Sequence, residues 1–178
     1  MIFEDWNCEE KITSTLSNCR ICSSWDLVVY LDLGNLHLTG TFPAKNTNVP
    51  KLPLALAKCT NCGLTQLAHS MPIKDLYGED YGYESHLNSQ MRNYLISTAR
   101  YLQRRFLIDG GDSVLDIASN DGTFLSGFSG EFIQKVGVDP LALLLHNRYP
   151  KEAKIIPDFF SSNIVRQATN NKFKLIDY

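Results

Sequence analysis

Residues 114–125 read Val-Leu-Asp-Ile-Ala-Ser-Asn-Asp-Gly-Thr-Phe-Leu, and this stretch decides the fold class. Its apolar beginning predicts a buried strand, the small polar residues predict a tight turn, and Asp121 and Thr123 are suited to cap a following helix. Three more short apolar runs follow, at residues 136–139, 155–156 and 173–176. Short apolar runs that alternate with helix-length polar stretches are typical of βαβ units around a parallel sheet. The sequence therefore predicts an α/β fold for this half of the chain.

The turn after the first predicted strand also indicates a nucleoside-binding site. Small residues let the backbone pass close to a ligand, and Asp139, about 20 residues downstream, is placed to accept hydrogen bonds from ribose hydroxyls. Only Gly122 in the turn is glycine, so the turn differs from the G-x-G-x-x-G of dinucleotide binders. Asp116 favours a ligand with a positive amino acid group, such as S-adenosylmethionine, over a pyrophosphate. The alternative is a strand, turn and helix in which the acid is only a cap.

Four of the five cysteines form two C-x-x-C pairs, Cys19 with Cys22 and Cys59 with Cys62. Two residues between thiols let both sulfurs reach one tetrahedral ion, so two pairs predict a closed, structural zinc site. Redox pairs and unrelated buried cysteines are the alternatives. Neither pair opens a helix after a core strand, as a thioredoxin-like motif would. Cys8 is predicted to take no part.

The chain is predicted to have three regions. Residues 1–70 would hold the N-terminal segment and a small zinc-binding β module that depends on its metal for stability. Residues 71–110 would form an aromatic loop and a connecting helix at about 88–107, and residues 111–178 would form the sheet domain. The helix is indicated by an apolar stripe at helical spacing, formed by Met91, Leu95, Ala99, Leu102 and Phe106.

Charge and hydropathy exclude some functions. The net charge is −2, and residues 1–70 carry five Lys and Arg against six Asp and Glu, so no basic face for nucleic acid is predicted. The acidic N-terminus and the lack of a long apolar run predict neither a signal peptide nor a membrane span. Thiols arranged for a metal fit a reducing compartment, so the expected location is cytoplasmic.

The ordered motifs resemble the zinc-module-containing, S-adenosylmethionine-dependent sugar C-methyltransferases, which methylate a carbon of a nucleotide-linked keto-deoxysugar. The resemblance runs from about Cys19 to Tyr178. The motifs that carry it are CRIC, CTNCGLTQL, LYGEDYGYESHLNSQM, VLDIASNDGTFL and GVDP, at residues 19–22, 59–67, 76–91, 114–125 and 137–140.

The resemblance implies a Rossmann-like class I methyltransferase domain, truncated here, that binds S-adenosylmethionine. Cofactor contacts carry over by position to Asp116, Ser119, Asn120, Asp121 and Gly122. Ala118 stands where the family has glycine, so its methyl group is expected to crowd the methionine portion of the cofactor.

The resemblance also implies that Tyr81 and Tyr83 contact the nucleotide-sugar substrate. A phenol can donate to a developing enolate oxygen and so assist proton removal beside a carbonyl. Glu84 stands where some members have histidine, which argues against an acid–base role there, and His86 is interpreted as an exposed loop residue.

The family's later strands and its Asn-Val-x-x-His segment, with the expected base, have no counterpart in this sequence. We therefore expect an incomplete methyltransferase with little activity alone, and a second chain could complete the sheet. Two alternatives remain open at this point: a non-catalytic remnant that binds zinc and S-adenosylmethionine, and a zinc-ribbon interaction protein.

Overall fold

The computed structural model describes residues 14–38, 40, 49–71, 73–77, 81–169 and 173–177. The chain divides into two compact units, Met1–Gly82 and Tyr83–Tyr178. The expected role of Cys8 falls outside the described residues. The three-region division at residues 70 and 110 stays a prediction.

The first unit is built from short antiparallel strands. Strands β2 (Leu27–His37), β3 (Lys51–Cys59) and β4 (Thr65–Leu67) form a sheet in that order, and β1 (Ser14–Thr15) pairs with β5 (His69–Ser70). A one-turn helix, α1, covers Ile73–Leu76. The buried core that these strands share consists of Ala55, Ala57 and Ala68, against which Leu27 packs. Three alanines bury little apolar surface, so in the described part of this unit the cluster contributes little stability beside the cysteines.

The second unit begins with a 3₁₀ turn at Ser85–Leu87, which leads into helix α2 (Ser89–Arg105). Asn88 caps α2, since its side-chain oxygen accepts hydrogen bonds from the N–H groups of Gln90 (2.9 Å) and Met91 (3.2 Å). Ala99, on the predicted apolar stripe, is completely buried. The connecting helix predicted at 88–107 is thus present within two residues at each end.

Four parallel strands follow α2, namely β6 (Ser113–Ile117), β7 (Gln134–Val138), β8 (Lys154–Ile156) and β9 (Leu175–Asp177). Their order is β8-β7-β6-β9, so the chain starts at an inner strand, moves to one edge and then crosses to the other side of β6. Helix α3 (Ser162–Ala168) lies between β8 and β9. The prediction of an α/β fold with a parallel sheet is confirmed.

The connection between β6 and β7 differs from the prediction of a helix beginning near Asp121. Only a 3₁₀ turn, Leu125–Gly127, is present there. Gly122 has φ +73°, which interrupts a right-handed helix. A β-carbon at Gly127 would lie 2.6 Å from the β-carbon of Ala99, so α2 occupies the space beside this turn. Asp121 accordingly accepts the N–H of Thr123 (3.0 Å) in a turn and caps no α-helix.

Both faces of the parallel sheet are packed. One cluster joins Ala99 of α2 to Val114, Phe124, Leu125 and Phe128. The other joins Leu115, Val136 and Ile156 to Val165 of α3. Burial on both faces explains why β6 is apolar apart from Ser113 and Asp116. Among the helices in the described ranges, none has the length and apolar character needed to span a membrane.

Candidate functional site

The four predicted cysteines converge on one point. Sγ of Cys19 lies 3.6 Å from Sγ of Cys62, Sγ of Cys22 lies 3.6 Å from Sγ of Cys59, and all four sulfurs lie within 4.8 Å of one another. A disulfide would need about 2.05 Å. Tetrahedral zinc with Zn–S bonds of about 2.3 Å places neighbouring sulfurs about 3.8 Å apart. The spacing of the four thiols therefore fits a zinc ion whose four positions are all filled by protein.

The two C-x-x-C pairs sit in equivalent backbone turns. The N–H of Ser23 donates to the carbonyl of Cys19 (2.9 Å), and the N–H of Gly63 donates to the carbonyl of Cys59 (2.9 Å). Ser23 and Gly63 both have the left-handed backbone, with φ of 60° and 81°. The second pair has glycine at this position, whereas the first strains a serine.

A neighbouring side chain supports the thiolate form at Cys22. The N–H of Ser24 and the amide of Asn61, whose Nδ2 lies 3.5 Å from Sγ of Cys22, lower the pKa of this thiol to about 6. The thiolate is the form that binds metal. Cys22 is therefore ready to bind a dication near neutral pH, whereas its neighbouring thiols raise the pKa of Cys62 to about 12 despite the N–H of Leu64.

A second group of candidate residues lies at the carboxyl ends of the parallel strands. Asp116 on β6 is 4% exposed and stands opposite Asp177 of β9 in the strand register. Within the described residues, its buried Oδ2 has no hydrogen-bond partner. Burial, together with the charges of Asp177, Asp139 and Asp121, raises the pKa of Asp116 well above its usual range. An orphaned acid among three others creates a site that favours a positive charge.

Asp139, just beyond β7, organises the turn that follows β6. Its Oδ2 accepts the N–H of Asn120 (2.9 Å) and its Oδ1 accepts the N–H of Leu141 (2.8 Å). Burial raises its pKa despite these two hydrogen bonds. Each oxygen keeps a further lone pair, so this geometry is compatible with the predicted contact to ribose hydroxyls.

Every second residue of the turn, from 118 to 122, has the left-handed backbone conformation. Ala118, Asn120 and Gly122 have φ of 59°, 49° and 73°. Asparagine and glycine tolerate this conformation, whereas alanine there costs about 1–2 kcal/mol. The side chain of Ala118 is exposed at the surface of the turn. The residue that departs from the family pattern is thus also the residue with the greater backbone strain.

The turn holds the segment 83–86 through side-chain hydrogen bonds. Nδ2 of Asn120 donates to the carbonyl of Tyr83 (2.9 Å), and Oδ1 of Asn120 accepts the N–H of Ser85 (2.9 Å). Oδ2 of Asp121 accepts the N–H of His86 (2.8 Å) and lies 2.9 Å from Nδ1 of its ring. The side chains of Asn120 and Asp121 therefore position residues 83–86.

The structure groups most of the predicted cofactor residues in the second unit. Asp116, Ala118, Ser119, Asn120, Gly122 and Asp139 all lie at the end of β6 or β7 or in the turn between them. Tyr83 belongs to the same unit and is tied to Asn120. Tyr81 belongs to the first unit, where its ring lies 5.2 Å from that of Tyr77 and would be 2.7 Å from a β-carbon at Gly40. Their predicted roles at a substrate stay predictions.

Two residues of this region were misjudged or missed from sequence. His86 was interpreted as an exposed loop residue and this was wrong: its side chain is 22% exposed and paired with Asp121. Tyr149 was not singled out. Its hydroxyl lies 2.8 Å from Oγ of Ser119 and donates to the carbonyl of Asn120 (2.7 Å). No local pattern marks Tyr149, because its partners are about thirty residues earlier in the chain. For His86, the one sequence signal for a buried contact was its position beside the aromatic segment.

Comparison with known proteins supports the metal centre. Residues 19–77, which contain all four cysteines of the metal centre, match a methyltransferase-associated family model described as "Putative zinc binding domain". The chain is also similar to the C-methyltransferase NovU of Streptomyces niveus, with 23% identity over 158 residues. That alignment covers 87% of this chain and 37% of the relative, so the chain spans well under half of the relative's length. The resemblance of the chain to a methyltransferase-associated zinc-binding domain and to a C-methyltransferase is therefore confirmed.

Proposed function

We propose that this chain is the zinc-bearing, cofactor-binding part of an S-adenosylmethionine-dependent C-methyltransferase that acts on a nucleotide-linked keto-deoxysugar. In this proposal, the second unit is a Rossmann-like class I methyltransferase domain. The strand order supports it, because the chain reverses direction across the sheet between β6 and β9, and ligands of such sheets bind beyond the carboxyl ends of the strands at this switch point. The zinc ion is structural, and the protein is cytoplasmic.

The observation that carries the proposal is the orphaned carboxyl of Asp116. A buried acid without a partner costs free energy unless a ligand compensates it. S-adenosylmethionine has a positively charged amino group and a sulfonium, so it supplies the missing charge at the edge where Asp116, Asp139 and Asp177 meet. The residues present therefore fit this cofactor. When bound, it supplies an electrophilic methyl group.

The remaining contacts follow from the geometry of the turn. Asp139 accepts the ribose hydroxyls with the lone pairs that Asn120 and Leu141 do not use. In this proposal, the methyl group of Ala118, an exposed residue, lies beside the methionine portion of the cofactor and narrows the space for it. Ser119, held by Tyr149, and Gly122, packed against the same ring, keep the backbone of the turn in place.

Tyr83 is the substrate-binding residue that the turn positions best. Because Asn120 donates a hydrogen bond to the carbonyl of Tyr83, we place its phenol beside the turn that follows β6. There it donates a hydrogen bond to the ketone oxygen and stabilises the enolate that forms when the neighbouring carbon loses a proton. Tyr81 is a second proposed substrate contact. A further chain that pairs with β9 is part of the proposal, since β9 is an edge strand of the described sheet and Ile176 on it is 58% exposed.

Calorimetric titration of the zinc-loaded chain with S-adenosylmethionine tests the proposal. We expect saturable binding that weakens at least about tenfold in Asp116→Asn, because the amide removes the charge and keeps the shape. Binding should also be lost in Asp139→Ala, which removes the ribose acceptor. Asp158→Asn is the matched control, since Asp158 is exposed and lies outside the acidic cluster. Equal affinity in wild type and Asp116→Asn, or no binding by zinc-loaded wild type, would contradict the proposal.

A further inference from the structure

Three side chains of the second unit form a possible coordination sphere that the proposed methyl transfer does not use. Nδ1 of His86 lies 2.9 Å from Oδ2 of Asp121 and 3.4 Å from Oε2 of Glu84. All three atoms lie within 4.8 Å of one another. Metal–ligand bonds of about 2.1 Å place neighbouring ligand atoms about 3.0–3.4 Å apart. The two short separations match this spacing without rearrangement.

Hydrogen bonds within the cluster leave one ligand atom unsatisfied. In the tautomer with a proton on Nδ1, the ring of His86 donates its one Nδ1 hydrogen bond to Oδ2 of Asp121, 2.9 Å away. Within the described residues, Oε2 of Glu84 is buried and accepts no hydrogen bond. Nε of Arg148 is 3.7 Å away on a side chain that is 53% exposed, too far for a hydrogen bond. The ring therefore bonds to one carboxylate through Nδ1, whereas a metal ion that displaces the Nδ1 proton to solvent binds the ring and both carboxylates.

The three ligands are held in place by the backbone. Oδ1 of Asp121 accepts the N–H of Thr123 (3.0 Å), and its Oδ2 accepts the N–H of His86 (2.8 Å), so the carboxylate is fixed and 0% exposed. Ser85, between the other two ligands, is buried and bonded to Asn120. Holding ligands in advance lowers the entropic cost of binding an ion.

The surrounding charge also favours a cation. Asp121 contributes to the electrostatic repulsion that raises the pKa of both Asp116 and Asp139. In the described part of the chain, the basic side chains of His86 and Arg148 lie within 4 Å of Glu84 or Asp121, and the histidine carries a charge only when protonated. A dication would offset the excess of carboxylates that these two side chains leave.

We propose that Glu84, His86 and Asp121 bind one divalent first-row metal ion through one imidazole nitrogen and two carboxylate oxygens. This donor set suits Mn²⁺, Fe²⁺ or Zn²⁺, whereas the four thiolates select the softer zinc chemistry. The two metal sites are therefore chemically distinct. This inference is independent of S-adenosylmethionine binding.

Mn²⁺ is the probe of choice, because it prefers oxygen and nitrogen ligands and competes weakly for thiolates. The full chain, loaded with one zinc per molecule, is titrated with MnCl₂ at constant pH, and free Mn²⁺ is measured by electron paramagnetic resonance. We expect one Mn²⁺ bound per chain, and an affinity at least about tenfold lower in Glu84→Gln and in His86→Gln. Glu131→Gln and His146→Gln are matched controls, since both residues are exposed and lie outside the cluster.

Glu84→Gln is the decisive variant, because it leaves the hydrogen bonds between His86 and Asp121 intact and so keeps the turn folded. Circular dichroism verifies its fold. Selective loss of Mn²⁺ binding in this variant supports the site. Wild-type affinity in Glu84→Gln and His86→Gln, or no saturable binding by wild type up to about 1 mM Mn²⁺, the weak end of carboxylate sites, would overturn it.

Discussion

The ring of Tyr149 lies against Gly122 so closely that a β-carbon on residue 122 would be 2.6 Å from its Cδ1. The same ring approaches Gly137 on β7, where a β-carbon would be 2.7 Å from Cε1. Tyr149 is buried and contacts the turn after β6. One aromatic side chain thus fills the space between two glycines and uses its hydroxyl to hold Ser119 and Asn120.

We predict that Gly122→Ala destabilises the protein by about 2 kcal/mol or more. The new methyl group collides with Tyr149, and the backbone at φ +73° disfavours alanine. Gly111→Ala is the matched control, because Gly111 has φ +95° and open space around its α-carbon. Gly111→Ala should lower the free energy of unfolding only by the cost of alanine at positive φ, about 1 kcal/mol. Urea unfolding measures both, and equal losses would show that the contact with Tyr149 contributes nothing.

Ala118→Gly should stabilise the fold by about 1 kcal/mol. Alanine at φ 59° is strained, its exposed methyl group packs little, and glycine relieves the strain. The midpoint of urea unfolding should rise with no change in slope. If the proposed cofactor binds above this turn, the same variant should also bind S-adenosylmethionine more tightly. A lower midpoint would mean that the methyl group makes stabilising contacts.

Asp116 should make stability fall as pH rises. Its pKa is raised in the folded protein by burial and by Asp177, Asp139 and Asp121, so the folded state keeps this proton longer than the unfolded state. Below the unfolded pKa of about 3.9, Asp116 is protonated in both the folded and the unfolded state, so it does not lower the stability. Above that value stability decreases until the folded carboxyl has also ionised.

Asp116→Asn should remove this pH dependence and be more stable than wild type at pH 7, by about 1 kcal/mol. Thermal unfolding of both proteins between pH 4 and pH 8 gives the comparison. A difference that stays constant over this range, or a variant that is less stable at neutral pH, would show that the carboxyl is compensated in the folded protein.

Removal of zinc should unfold the antiparallel sheet of the first unit. Its cluster of buried apolar side chains among the described residues, Ala55, Ala57 and Ala68, is too small to replace the energy of four metal–thiolate bonds. Addition of a strong chelator, or Cys59→Ser, should abolish the strand signal of this unit in amide exchange. Cys8→Ser should keep one zinc per chain, measured by metal analysis. If amides in β3 stay protected from exchange without metal, the sheet does not depend on zinc for its folding.

Local patterns were enough to predict the metal centre and the four strands of the parallel sheet. The spacing of Cys19, Cys22, Cys59 and Cys62 sets how many sulfurs can reach one ion, and this requirement needs no knowledge of the fold. The strand predicted from residue 114 begins one residue earlier, at Ser113, and the helix at 88–107 ends at Arg105. Apolar periodicity is a strong signal where an element is buried on a defined face.

Contacts between distant residues could not be predicted. The absence of a helix after Asp121 depends on α2, which occupies the space beside Gly127. The role of Tyr149 depends on the return of the chain beneath Ser119. The pairing of His86 with Asp121 joins residues that are 35 positions apart. Each of these features is decided by tertiary packing, to which a window of local sequence is blind.

The side chain of Asn120 has a further consequence for motion. Because its amide holds Tyr83 and Ser85 while its own N–H is held by Asp139, the turn and the segment 83–86 cannot open separately without breaking several hydrogen bonds at once. We expect them to exchange their amide hydrogens as one cooperative unit. A ligand that reduces the motion of the turn would therefore also reduce the motion of residues 83–86. The dynamics of the chain would then favour one order of binding for two ligands.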